Sequence, residues 1–141
     1  MDLNPALRFA RARREGVLVT LRRDGRPQLS NVLYGIGEDG DTIRISVTDS
    51  RAKTRNLRRD PRASLYVVGE TFWSYVVLDG AADLTPVAAD PNDAVVDELV
   101  LMYRQAGGEH PDWDEYRQAM VEDQRLVVRL RPDRAYGILP T

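Results

Sequence analysis

The chain has no cysteine. Disulfide frameworks, cysteine–zinc sites and thiol nucleophiles are therefore excluded. It has one histidine, His110, which argues against His-rich metal sites and Ser-His-Asp catalysis. No metal is expected. Lysine is equally scarce: of 20 basic residues only Lys53 is a lysine, and the rest are arginine. No apolar run approaches the length needed to span a membrane, and the N-terminus lacks a signal-peptide core. The expectation is a cytoplasmic protein with no membrane partner. The net charge of −2 provides no field that would gather nucleic acid. The carboxylates are scattered and form no convincing acid–base pair.

What is present is an ordinary globular balance. With 141 residues, 43% hydrophobic and 30% charged, residues 1–141 read as one domain with a real core. Asn4 and Pro5 suit the start of a short helix over 4–14, which Gly16 ends. Val17–Leu21 reads as a strand, Asp24-Gly25 as a tight hairpin turn, and Pro27–Ile36 as the return strand. Glu38-Asp39-Gly40 makes a second turn, and Thr42–Thr48 a third strand. Those three strands predict an antiparallel meander. Asp49 or Ser50 caps a helix to about Arg59, which Pro61 stops. Ala63–Val68 and Phe72–Leu84 are further strands. Asp90-Pro91 opens the longest helix, over 91–106, on an apolar stripe through Val95, Leu99 and Met102. Asp112 and Glu115 form a capping-box pattern before another helix. Arg125–Leu130 is the last strand, followed by an extended tail through Tyr136. About six strands with hairpin connections favour a small barrel.

The densest feature is Arg51–Arg62, which holds six of the 20 basic residues against one acid, Asp60. It follows a strand and begins a helix, where exposed amides and the positive dipole end favour an anion. Two readings stand. One is a solvated helix whose last turn carries Arg58 and Arg59 to suit the dipole. The other is a phosphate site of Arg51, Lys53, Thr54 and the first-turn amides, with lysine as a compact point charge.

Gln28, Ser30 and Asn31 lie mid-strand, where apolar residues pack better. They read either as a solvated face or as donors and acceptors aimed at a planar heterocycle. Ser46 would extend that row if the registers match. Trp73 and Tyr75 read as core or subunit-contact residues, with base stacking the lesser option. His110 reads as a surface or contact residue.

The segments Asp24–Asn31, Arg51–Ser64 and Trp73-Ser-Tyr75 resemble the flavin/deazaflavin oxidoreductases of the pyridoxamine 5′-phosphate oxidase-like (PPOX) class. Glu109–Met120 resembles the branch of that class that uses coenzyme F420, a deazaflavin. The resemblance covers nearly the whole chain, and Arg-x-Lys-Thr is its most specific motif. It implies a mainly β, six-stranded split β-barrel with peripheral helices, built as a homodimer with cofactor sites at the interface. By position, Arg51, Lys53 and Thr54 would hold the cofactor phosphate, with Asn56 in support. Gln28, Ser30, Asn31 and Ser46 would line the ring and ribityl region. Trp73 and Tyr75 would come from the other subunit. Arg55 and nearby arginines would meet the acidic oligoglutamate tail. The implied chemistry is hydride transfer from reduced F420 to an unsaturated small-molecule substrate, with the chemistry carried by the cofactor. FMN is the alternative cofactor, because the phosphate motif serves both. A non-catalytic F420 carrier is a further alternative, and a nucleic-acid-binding domain ranks far below.

Overall fold

The computed structural model describes residues 1–38 and 40–141. The elements run α1 (Leu3–Arg11), β1 (Glu15–Leu21), β2 (Pro27–Leu33), β3 (Gly35–Ile36), β4 (Ile43–Thr48), α2 (Ala52–Arg59), β5 (Arg62–Val68), β6 (Tyr75–Leu84), α3 (Ala94–Gly107), α4 (Trp113–Glu122) and β7 (Arg125–Ile138). The strands form one antiparallel sheet in the order β2-β1-β5-β6-β7-β4-β3.

The first hairpin forms as its sequence dictates. Gly25 takes φ +85, and Arg22 and Arg26 close the turn by a 2.9 Å backbone bond. The expected three-strand meander does not form. β2 pairs only with β1, while β4 pairs with β7 at the far side of the sheet. The run Pro27–Ile36 joins the two sides. Its first part pairs with β1, it breaks at Tyr34, and its last two residues pair with β4. The two ends of the sheet are thus consecutive in the chain, so the sheet curls into a split barrel. This break is also why the expected six strands are seven. The second turn, Glu38-Asp39-Gly40, includes Asp39, which lies outside the described residues.

Tyr34 stands at the break, its ring turned inward as the alternation of β2 directs. Its hydroxyl donates to the Ala10 carbonyl at 2.7 Å, and its amide bonds to Arg14. Burial pushes the phenol well above its ordinary pKa. This anchor seats α1 across one end of the barrel, with Ala6, Leu7, Phe9 and Ala10 buried. Strand alternation fills the interior with Leu18, Ile45, Leu65, Val67, Val76, Leu78, Leu126 and Val128, joined by Leu57 from α2. A fully buried leucine contributes roughly 1.5–3 kcal/mol.

A second cluster lies outside the barrel wall. Val95, Val96, Leu99 and Val100 of α3 pack on Val127, whose side chain points opposite to Leu126 and Val128. Tyr103, His110, Trp113 and Tyr116 stack between α3 and α4 with ring centroids 5.1–5.7 Å apart. His110 is therefore a packing residue, and its Nδ1 accepts the Asp112 amide at 2.9 Å.

Several boundaries differ from expectation. α1 ends at Arg11 with Ala12 as its C-cap, well before Gly16, and its N-cap residue is Asp2 rather than Asn4. The cap of α3 is Asp93, whose side chain accepts the Val96 amide, rather than Asp90. Asp112 does cap α4, accepting the Glu115 amide at 3.1 Å. β6 starts at Tyr75 rather than Phe72, leaving Trp73 in the preceding turn. β7 continues through the expected tail to Ile138. A bulge at Asp79/Gly80 lets Pro132 into the strand, opposite Gly80. A Cβ on Gly80 would lie 2.1 Å from the Arg131 carbonyl oxygen.

Candidate functional site

The split is the structural feature that organises the site. Continuing the β3–β4 register from Gly35↔Arg44 would set Leu33 opposite Ser46 and Asn31 opposite Thr48. Those pairs do not form, because β2 turns away to β1. The inner edges of β2 and β4 face each other across a gap, with unpaired backbone groups on both sides. Asn31 and Leu33 point to the outside of the barrel, as do Ser46 and Thr48. Asn31, Val32 and Leu33 also line an outer groove of about 360 Å³ with Val17 and Tyr66.

One end of the split carries the positive charge. Thr48, the last residue of β4, pairs with Arg125, the first of β7. The Thr48 carbonyl accepts the Arg51 amide at 3.2 Å and the Thr54 hydroxyl at 2.8 Å. Thr54 is fully buried, so its hydroxyl proton is spent on holding α2 to β4. The expected caps Asp49 and Ser50 do not cap α2. Arg51 is the N-cap residue and supplies no side-chain bond, while Asp49 pairs with Arg58 at 2.6 Å. The amides of Ala52 and Lys53 therefore have no partner among the described residues.

Lys53 is half-buried and has no acid partner among the described residues. Burial lowers its pKa, and the Arg51 and Arg125 charges lower it further. Arg125 is the residue that sequence reasoning missed. Among the described residues its buried Nε has no hydrogen-bond partner, its Nη1 lies 3.5 Å from the Ser46 carbonyl oxygen, and Asp123 is 3.9 Å away. No local motif marks it, because it reaches the cluster only through strand pairing.

The other arginines of the basic segment have structural partners. Arg59 donates to the Leu21 carbonyl at 2.7 Å and to Asn56 Oδ1 at 3.0 Å. Arg62 chelates Asp60, whose carboxyl is pulled down to about 2 by those hydrogen bonds. Asn56 is buried and donates to the Thr20 hydroxyl at 3.2 Å, which ties α2 to β1. A second groove of about 710 Å³ lies beside α2 and the first hairpin, lined by Arg22, Arg23, Arg55, Arg58 and Arg59. It is larger than the outer groove beside β2. Three of its arginines are already engaged, leaving Arg23 and Arg55 without partners among the described residues.

The remaining expected residues are distributed unevenly. Gln28 and Ser30 face opposite to Asn31, and Gln28 accepts the Arg22 Nε at 2.9 Å. Ser46 is not on a strand neighbouring β2 in the sheet and faces it only across the split. Within the chain, Trp73 and Tyr75 are not near the cations. Tyr75 pairs with Ile138, at the opposite end of 14-residue β7 from Arg125, roughly 40 Å along an extended strand. The outer face between these ends is mixed: Arg129, Arg131 and Arg134 of β7 pair there with Glu98, Asp83 and Asp79, while apolar side chains stand exposed on β2 and toward the Tyr75 end. Leu29 is 60% exposed, Leu33 71%, Phe72 71%, Trp73 76% and Ile138 58%. Strand register lines up Asn31, Val17, Tyr66, Val77 and Tyr136 across it.

Comparison with known proteins agrees with this architecture. The conserved hypothetical protein Rv2991 of Mycobacterium tuberculosis superposes with a TM-score of 0.70 at 24% identity, covering 96% of this chain and 82% of that one. An F420 reductase superposes with a TM-score of 0.63 at 24% identity, covering 87% and 89%. HutZ, the heme storage protein of Vibrio cholerae, superposes with a TM-score of 0.67 at 16% identity, covering 97% and 95%. At such identities these likenesses concern the fold, a split barrel shared by proteins of different functions. The family model for pyridoxamine 5′-phosphate oxidase matches residues 5–139, nearly the whole chain, and the protein belongs to that family.

Proposed function

We propose that the protein is a homodimeric oxidoreductase that binds coenzyme F420 across the split and reduces an electron-poor, unsaturated small molecule. The observation that carries this is the cation set at the split: Arg51 and Lys53 without acid partners among the described residues, beside two amides likewise unpartnered among them. Such a set is costly alone and suits a phosphate ester. The choice of F420 rests on the resemblance of Glu109–Met120, and the F420 reductase neighbour is in keeping with it.

When bound, the cofactor supplies the hydride. The protein binds, orients and shields it. Arg51 and Lys53 anchor the phosphate. Thr54 and Asn56 act behind them, fixing α2 to β4 and β1. Asn31 and Ser46 flank the gap, where their polar groups reach a ring lying across it. Gln28 and Ser30 line the edge from the inner side. Arg55, with Arg23, offers charge to an acidic tail in the larger groove.

A second copy completes the site. A two-fold contact sets one end of a surface against the other end of its mate. On the outer face this brings the partner subunit's Trp73 and Tyr75 toward the split, and covers the exposed leucines and aromatics.

Titration with F420 and with FMN, followed by cofactor fluorescence, tests the reading. Tighter binding of F420 is expected. Tighter binding of FMN would make the protein an FMN-dependent member of the class. Failure to bind either would sink the site. Steady-state reduction of biliverdin, quinones or nitroaromatics by the reduced complex separates an enzyme from a carrier, and turnover of at least one is expected.

A further inference from the structure

We infer that Arg125 is the third cation of the phosphate site, reaching it from β7 to bind the phosphate ester of the cofactor together with Arg51 and Lys53. This rests on the reading of the split as the cofactor site and adds a residue that the Arg-x-Lys-Thr motif does not contain.

The geometry is specific. Arg125 lies directly across the strand pair from Thr48, the residue whose carbonyl holds the start of α2. The backbone around it is fastened independently of its side chain. The Asp49 amide donates to the Gln124 carbonyl at 3.0 Å, and the β4–β7 ladder continues from there. Gln124 takes φ +54, a left-handed conformation that non-glycine residues adopt at a cost. The turn thus delivers the guanidinium to the mouth of the split.

Once there, the side chain is poorly satisfied by protein. Among the described residues its buried Nε has no hydrogen-bond partner, Asp123 lies 3.9 Å away, and Nη1 makes only a 3.5 Å contact with the Ser46 carbonyl. A buried, unpartnered guanidinium nitrogen is a costly arrangement. The two neighbouring cations, Arg51 and Lys53, worsen it. The nearby Asp49 is engaged with Arg58. A phosphate between the three cations would relieve their repulsion and give the guanidinium an anionic partner. Arginine suits this position because its planar fork reaches two phosphate oxygens.

Lys53 makes the test clean. It is the only lysine, so amine labelling read by peptide mass spectrometry isolates one side chain. Arg125→Gln should weaken binding of both F420 and FMN roughly ten- to a hundredfold, the loss expected for a charged hydrogen bond. The same variant should move the pH midpoint of Lys53 labelling upward, because one repelling charge has gone. That shift reports that Arg125 stands beside Lys53 in the folded protein, and the loss of affinity in the same variant reports its contact with the phosphate. Arg125→Met keeps the aliphatic stem and gives the same readouts should the glutamine variant fold poorly. Wild-type affinity in the Arg125 variants alongside weak binding by Lys53→Ala would overturn the role of Arg125 and leave the phosphate site standing. Wild-type affinity in all of them would remove the phosphate site itself, and the proposal with it.

Discussion

Lys53 is stabilised by little in the protein alone. Its ammonium is half-buried, repelled by Arg51 and Arg125, and its pKa is lowered accordingly. A lysine whose folded pKa lies below its unfolded value holds fewer protons folded than unfolded. Its protonated form therefore costs stability at neutral pH, and that cost is relieved as pH rises through the lowered pKa. Lys53→Ala should accordingly leave the unfolding midpoint of the cofactor-free protein unchanged or raised, as a thermal melt would show. The same substitution should weaken cofactor binding by roughly 1.5–3 kcal/mol, the range for a charged hydrogen bond. Cofactor affinity in the wild type should fall as alkaline pH removes the proton, at a pH below the ordinary lysine value. A stability loss in Lys53→Ala with unchanged affinity would make Lys53 structural. Its prominence was legible in the sequence as the lone lysine beside a helix start. Arg125 was not legible, because 79 residues separate it from Ser46, whose carbonyl it approaches.

At the scale of elements, α3 is held to the barrel by charge as well as by its apolar stripe. Glu98 accepts hydrogen bonds from Arg44 of β4 at 3.0 Å and from Arg129 of β7 through both carboxylate oxygens. These bonds, Arg129 first, hold the Glu98 carboxyl below its ordinary pKa. A depressed carboxyl contributes stability that is present above its unfolded pKa and lost as pH falls through the folded value. Glu98→Gln should therefore destabilise at neutral pH, by about 1.5–3 kcal/mol. The deficit should shrink toward pH 3, measurable by denaturant melts across that range. An equal deficit at all pH values would point to packing instead. The apolar spacing of α3 is readable from sequence, and its start is not. Asp90 and Asp93 are both competent caps, and Asp93 prevails by also accepting the Ala89 and Asp90 amides. The hairpin at Gly25 was legible for the opposite reason: its geometry depends only on neighbours.

For the whole molecule, the outer face sets the expectation of assembly. Leucines and aromatics stand exposed across strands whose inner faces already fill the core. Leu33→Asp should shift the protein toward monomer in sedimentation velocity, because a charge placed in an apolar contact must be desolvated. On the proposed shared site, cofactor affinity should drop with dimer content, since the partner's Trp73 and Tyr75 would then be lost. Trp73→Ala should weaken binding while leaving the dimer largely formed. A monomeric wild type that binds the cofactor fully would refute the shared site.

Local chemistry in the sequence determined the hairpin at Gly25, the strand alternation, the stripe of α3 and the charged start of α2, because each depends on residues a few positions apart. Pairing at long range decided the rest. The chain alone does not show that Pro27–Ile36 would serve both sides of the sheet, because that depends on β1 and β4, toward opposite ends of the sheet, each pairing with part of the run. Nor does it show that β4 would pair with β7 and so place Arg125 against Thr48. The split, and the third cation at its mouth, exist only once the sheet has curled. Burial and cross-strand register, rather than propensity, choose which distant residues meet.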